Sequence, residues 1–254
     1  MDVNKHKFFM FQILRDIYSD LELANNLGFK GGTALSFFHN LPRFSVDLDF
    51  DLIRPDKATE TRIFLKTREI LLKYGTIDDE AQKFFRPILV LNDGKGERNL
   101  KIEISNRLHN NQYEVKTFMG VNMHVMTIAD MFAHKLCAVL GRTEMANRDI
   151  FDIWYLMENR TPVNINIVES LTQMSLSDYL QNCIDFLNNL SNKNLLNGLG
   201  DLVDVKMKDF IRTKLLDETI FLLKAFQAFP ILPEKGITVE RMYVHDFGNK
   251  KMNN

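Results

Sequence analysis

Ser45-Val-Asp-Leu-Asp-Phe-Asp-Leu52 alternates apolar and acidic residues with a period of two. That period belongs to a strand, with Val46, Leu48, Phe50 and Leu52 on one face and Asp47, Asp49 and Asp51 on the other. Two carboxylates at i and i+2 stand a few ångströms apart, and at 4 Å in a medium of effective dielectric near 20 they repel by about 4 kcal/mol. Such a pair needs water, a shared proton or a cation. Carboxylate oxygens are hard donors of the kind Mg2+ (or Mn2+) takes, and substrate phosphates usually complete its shell. Asp51 lies nearer the strand end and reads as solvated.

Gly31-Gly32-Thr33 stands upstream, with Asp47 following Thr33 by fourteen residues. Glycines let the backbone approach an anion closely, and the first amides of a helix point at it. A Gly-Gly alone is an ordinary turn, and an Asp-x-Asp alone is usually a solvated face. Their order, turn then short helix then acidic strand, suggests a triphosphate held between Gly31, Gly32, Thr33 and metal-loaded Asp47 and Asp49. A third carboxylate is expected on a neighbouring strand. Glu103 in Lys101-Ile-Glu-Ile-Ser105 fits, as an ordinary half-exposed glutamate or as a second metal ligand or proton acceptor.

Outward from this centre, Val3 to Leu27 carries apolar residues at three- and four-residue steps, a helix that Gly28 should stop. Ala58–Lys73 reads as helix, and Arg86–Leu91, Leu100–Ser105, Tyr113–Phe118 and Val121–Met126 read as strands, with a turn at Asn92-Asp93-Gly94. Character changes at Thr127, where Thr127-Ile-Ala-Asp130 fits a capping box. Met131–Leu140, Asn147–Glu158, Asn166–Leu190 in pieces and Leu202–Phe229 then read as helical. The expected fold class is α+β, a helix-covered mixed sheet in 1–127 and a helical half in 128–254, with a poorly ordered tail after 233.

Lys135, Arg142 and Asp149 recur every seven residues, on one face if the helix is continuous; if Gly141 breaks it, Asn147 caps a second helix. Arg148 and Asp152 read as an ion-pair network joining helices. Lys135, among apolar neighbours, suits a triphosphate as a point charge, and Arg142 could serve likewise. The six histidines show no metal-ligand spacing, and His39, His109 and His134, each isolated, read as surface or satisfied side chains. Cys137 and Cys183 read as small buried hydrophobes in a reducing compartment. The charge balance of 32 basic against 33 acidic residues excludes binding nucleic acid mainly through a global field. No apolar run reaches the roughly 18 residues of a membrane span, and no leader-type cleavage site follows the apolar N-terminal stretch, so a soluble, cytoplasmic protein is expected.

Lys30-Gly-Gly-Thr-Ala-Leu35, Arg43-Phe-Ser-Val-Asp-Leu-Asp-Phe50 and the later Lys135…Arg142…Arg148-Asp149-x-x-Asp152 together resemble the AbiEii/AbiGii nucleotidyltransferase toxin family, which includes MenT-like toxins. The resemblance spans Phe29 to Leu156 and implies a polymerase-β-like nucleotidyltransferase domain, palm-like over 1–127, followed by an added helical domain. It implies transfer of a nucleoside monophosphate from an NTP to an RNA, such as a tRNA, or to a protein, with magnesium. It also implies a prokaryotic toxin–antitoxin or phage-defence setting and a separately encoded winged-helix antitoxin that often acts without direct binding. Carried over by motif, Gly31, Gly32 and Thr33 cradle phosphates, Asp47 and Asp49 hold metal, Lys135 contacts the triphosphate, and Asp149 matches a late essential aspartate. Where such motifs carry Lys-Asp, this chain has Arg148-Asp149, which keeps charge and changes geometry. The competing expectations are a non-catalytic nucleotide- or RNA-binding relative on the same scaffold, and a plain structural domain.

Overall fold

Residues 2–83, 86–92, 94, 99–142 and 146–233 are described by the computed structural model. The apolar stripe at the N-terminus forms α1 (Val3–Ser19) and α2 (Leu21–Asn26), two helices where one was expected. The break is at Asp20, whose carboxylate accepts from the Glu22 and Leu23 amides and so starts a new helix rather than continuing the old one. Gly28 does not stop a helix; it lies inside β1 (Leu27–Lys30), which runs directly into α3 (Gly31–Phe38).

β2 is Leu48–Leu52, shorter than the alternating stretch suggests. Ahead of it, the carbonyl of Asp47 accepts from the Thr33 hydroxyl and that of Val46 lies 3.2 Å from His6 Nε2. Side chains, not a neighbouring strand, satisfy that backbone, so the ladder begins one residue after Asp47. Then follow α4 (Lys57–Leu71), β3 (Thr76–Lys83), β4 (Arg86–Asn92), β5 (Leu100–Ser105), β6 (Tyr113–Phe118) and β7 (Val121–Met126). Among the described residues these strands form one seven-stranded sheet in the order β3-β4-β5-β2-β1-β7-β6. The β2–β5 and β1–β7 pairs are parallel and the others antiparallel, the mixed sheet expected of an α+β fold.

Register decides which chemistry faces which way. Phe29 pairs with Phe50 and Val125, Phe50 with Ile104, and Leu48 with Ile102, all buried on one face of the pleat. Lys30 pairs with Asp49 and Asp49 with Glu103, so the other face of the same central strands is charged. Asp51 corrects the expectation of a solvated carboxylate: it is 1% exposed, pairs with Lys30, and accepts from Asn111 and Tyr113. Its central position in the sheet, one strand from Lys30, supplies partners that its place at a motif's end does not suggest.

Beyond Thr127 come α5 (Ile128–Gly141), α6 (Asn147–Glu158), α7 (Ile165–Thr172), α8 (Leu176–Asn188), α9 (Val205–Thr213) and α10 (Leu215–Ala228). Thr127 does precede a helix, but its side chain makes no capping bond, and Asp130 instead accepts from the Gln112 amide and Asn164 Nδ2. Asp130 thus ties α5 to the β5–β6 connection and to the start of α7. Asn147 is the first residue of α6 and not its cap; its amide donates to the Asn194 and Asn197 carbonyls. One connected apolar core runs from Met10 to Phe226, including residues on both sides of Thr127. The tail after 233 and part of the Asn92–Gly94 turn lie outside the described residues. No helix among the described residues is long and apolar enough to cross a membrane.

Candidate active site

The passage from β1 into α3 leaves no room for side chains. Gly31 has φ +79°, a left-handed conformation that favours glycine, and a Cβ there would stand 2.5 Å from Asp49 Oδ2. A Cβ on Gly32 would stand 2.8 Å from both Arg43 Nη2 and Ser45 Oγ. The first amides of α3 therefore open beside the acidic segment, the arrangement an anion uses. Gly31→Ala is expected to destabilise the chain by about 1–3 kcal/mol through backbone strain alone, measured as a lower midpoint of denaturant unfolding. Thr33 departs from its expected role: it is buried, and its hydroxyl ties α3 to the Asp47 carbonyl rather than lining the cleft.

Beside the glycines stand Asp47, Asp49 and Glu103, with Lys101 among them. Lys101 Nζ lies 3.7 Å from Asp47 Oδ2 and 3.4 Å from Glu103 Oε2. Burial pushes the Asp49 carboxyl above the usual carboxylate range; Lys101 opposes the rise, while Glu103 and Asp47 add to it. The cluster thus gathers three carboxylates about the Lys101 ammonium, which stands beside them as a cation would. Among the described residues no three acidic, histidine or cysteine side chains form a complete metal cage. Two carboxylates joined by phosphate oxygens would suffice for Mg2+, and Asp47 and Asp49 have the right chemistry for that.

The opposite wall comes from α5 and α6. Lys135 Nζ is 3.1 Å from Asp149 Oδ1 and 2.7 Å from Asp152 Oδ2, and Arg142 Nε is 2.5 Å from Asp149 Oδ2. Asp149 and Asp152 are 1% and 0% exposed, so they hold cations and do not face solvent. Arg43 reaches Asp152 with two nitrogens, Nε at 2.5 Å and Nη2 at 2.6 Å. Arg148, read from sequence as part of an ion-pair network, makes no ion pair among the described residues and lines the cleft instead; its place in the network is taken by Arg43. The fold connects these walls around a cleft of about 260 Å3 that Gly31, Gly32, Asp47, Asp49, Glu103, Lys135 and Arg142 all line.

Arg43, Lys101 and His134 also line this cleft and were not singled out as site residues. Lys101 had a readable signal, its place two residues from Glu103 on one strand face. Arg43 had a weaker one, a lone cation in the apolar run ahead of the acidic strand.

The sequence matches the family described as nucleotidyl transferase AbiEii toxin, type IV TA system, over residues 12–228. Among solved structures, a candidate nucleotidyltransferase from Helicobacter pylori is similar at TM-score 0.56 and 21% identity, covering 89% of this chain and 96% of that one. JHP933 from Helicobacter pylori is similar at TM-score 0.53 and 21% identity, covering 87% of this chain and 94% of its own. Among curated proteins, none matches the sequence. The structural likeness bears out the expected nucleotidyltransferase fold. With the family match running through the acidic strand, the glycine turn and the helices that follow, the chain belongs to the AbiEii nucleotidyl transferase toxins of type IV toxin–antitoxin systems.

Proposed function

We propose that this chain transfers a nucleoside monophosphate from an NTP to a macromolecular hydroxyl, on an RNA such as a tRNA or on a protein side chain. The observation that carries the reading is the convergence of Gly31-Gly32 at a helix start with Asp47 and Asp49 on one side of a single cleft. The α3 amides and the cations of the far wall hold the phosphates, with Arg148 the one cleft-lining arginine or lysine that has no ionic partner among the described residues. Asp47 and Asp49, with phosphate oxygens completing the shell, would hold Mg2+ or Mn2+, which when bound neutralises the phosphates and lowers the pKa of the acceptor hydroxyl. The acceptor oxygen bonds to the α-phosphorus as the bond to the bridging oxygen breaks, and pyrophosphate departs. Glu103 is the carboxylate we assign to take the hydroxyl proton. Little covalent work falls to the protein, so positioning and charge neutralisation carry the rate. In this reading the chain is the toxin of a cytoplasmic toxin–antitoxin or phage-defence pair, opposed by a separately encoded winged-helix antitoxin.

Purified protein incubated with each α-labelled NTP, magnesium and total cellular extract is expected to label one class of macromolecule from one preferred NTP. The ion pairs already engaging Lys135 and Arg142 favour a second reading, nucleotide binding without turnover. Magnesium-dependent NTP binding with no labelled RNA or protein would establish that reading and overturn the first.

A further inference from the structure

A half-buried hydrogen-bond chain leads from the sheet to the edge of the cleft and fixes the protonation of one imidazole. Asp51 accepts from Asn111 Nδ2 at 2.8 Å and from the Tyr113 hydroxyl at 2.8 Å, and pairs with Lys30. An ionised carboxylate only accepts, so Asn111 must present its amide NH2 to Asp51 and its Oδ1 elsewhere. His134 Nε2 stands 2.7 Å from that Oδ1, and since a carbonyl oxygen only accepts, Nε2 must carry the hydrogen. Burial first, then the Lys30 ammonium, pushes the His134 imidazole down to about 4, so the ring is neutral near pH 7. Nδ1 is therefore a bare lone pair.

No hydrogen bond to Nδ1 exists among the described residues, and it is not a sealed orphan atom, since His39 Nε2 is the one such side-chain nitrogen there. His134 and Ala138, one turn apart on α5, and Arg142, just past its end, line both the cleft and a second hollow of about 940 Å3. Leu140, Met174 and Tyr179 contribute apolar surface to that hollow. Arg107, His109 and Asn182 stand beside them, so the hollow suits a flat ring with polar edges. The neutral His134 ring stands where the cleft opens toward that hollow, beside Arg142, so a triphosphate whose phosphates are held by Gly31-Gly32 and the cations brings its nucleoside within reach of the ring.

We infer that His134 Nδ1 accepts a hydrogen bond from the nucleoside of the bound triphosphate, an N–H of the base or an O–H of the ribose, which makes His134 a specificity-determining residue. This rests on the reading of the cleft as an NTP site. The shared chemistry is a single donor meeting a fixed acceptor, and the two sources are separable by analogue.

The test measures equilibrium binding of NTPs with magnesium and no acceptor. Each NTP is paired with an analogue lacking a base donor: purine riboside triphosphate for ATP, pyrimidin-2-one riboside triphosphate for CTP, ITP for GTP and 3-methyl-UTP for UTP. The 2′-deoxy and 3′-deoxy forms are the ribose arm. For the bound NTP, removing the donor that meets Nδ1 is expected to weaken wild-type binding roughly 5–10-fold, and this gap should close in His134→Phe. Closure in the base arm identifies the base, and closure in the ribose arm identifies the sugar. Asn111→Leu, which keeps the ring but releases its tautomer, should narrow the same gap. Nitrogen-15 NMR of the wild-type chain should show a protonated Nε2 and an unprotonated Nδ1 at His134. Binding with every gap unchanged in His134→Phe, or the opposite tautomer, overturns this inference alone; binding of no triphosphate at all overturns the nucleotide reading with it.

Discussion

Asp49→Asn is expected to abolish nucleotidyl transfer, by at least about a thousandfold, while raising the melting temperature of the chain. The two effects have one cause. In the folded protein the Asp49 carboxyl is held above the usual range by burial, with Glu103 and Asp47 adding to the rise against Lys101. A carboxyl whose folded pKa is raised binds its proton more tightly folded than unfolded. Its charged form therefore opposes folding at pH values above the ordinary carboxylate pKa, and that penalty fades as pH falls through the raised one. Asparagine has nearly the shape of the neutral acid and carries no charge, so the variant escapes the penalty. A gain of about 2–4 °C corresponds to roughly 1 kcal/mol in a chain of this size. Magnesium with NTP should raise the wild-type melting temperature further and leave the variant unmoved. Calorimetry at pH 7 with and without the metal and nucleotide, beside a labelled-NTP assay, reads all of this. Near-normal transfer by Asp49→Asn would remove the proposed mechanism, and a fall in its melting temperature would show that Asp49 is structural. A functional carboxylate held against its neighbours' charge fits the general pattern in which sites are maintained at the expense of stability.

How legible this was in the sequence depended on whether a residue's partners lie nearby in the chain. Alternation from Val46 to Leu52 identified the central strand and its charged face, and the three-to-four spacing identified most helices. Glu103 was found because Ile102 and Ile104 flank it with the same period, and the register does place it beside Asp49. β3 was missed because Thr-Ile-Asp-Asp-Glu-Ala-Gln-Lys, residues 76–83, has no apolar alternation. Among the described residues it is an edge strand, bonded to β4 on one side, and such strands are commonly charged. Asp51 was misread because its partners, Lys30, Asn111 and Tyr113, come from distant segments joined only by sheet order. Arg43 was passed over for the same reason: Asp152 lies 109 positions away. Local period gives the faces of elements; which charges meet across them is decided by tertiary pairing, which no window of sequence contains.

Arg43→Ala should be the most destabilising single change among the polar residues of the site. Arg43 and Asp152 have side chains 2% and 0% exposed, joined by bonds of 2.5 and 2.6 Å. Removing one partner of a buried pair strands the other charge, at about 3–5 kcal/mol, and for this chain length that is a fall of about 10 °C in melting temperature. Burial alone would raise the Asp152 carboxyl, but Arg43 and then Lys135 outweigh it and hold it below the usual range. A depressed carboxyl contributes stability above its unfolded pKa and loses it as pH falls through the folded one. In Arg43→Ala that contribution shrinks, so the acid-unfolding midpoint should move to higher pH. Arg43→Lys keeps the charge but only one of the two bonds, and should fall between the two. The pair also joins the segment leading into Asp47 to α6, and a Cβ on Gly32 would meet the same guanidinium. Loosening it should therefore lower transfer even in samples cooled well below their melting point, because the acidic segment loses its fixed distance from the cation wall. An Arg43→Ala protein that melts within 2 °C of wild type, a shift of less than about 1 kcal/mol, would show that Lys135 alone can hold Asp152 and that the Arg43 bridge is dispensable.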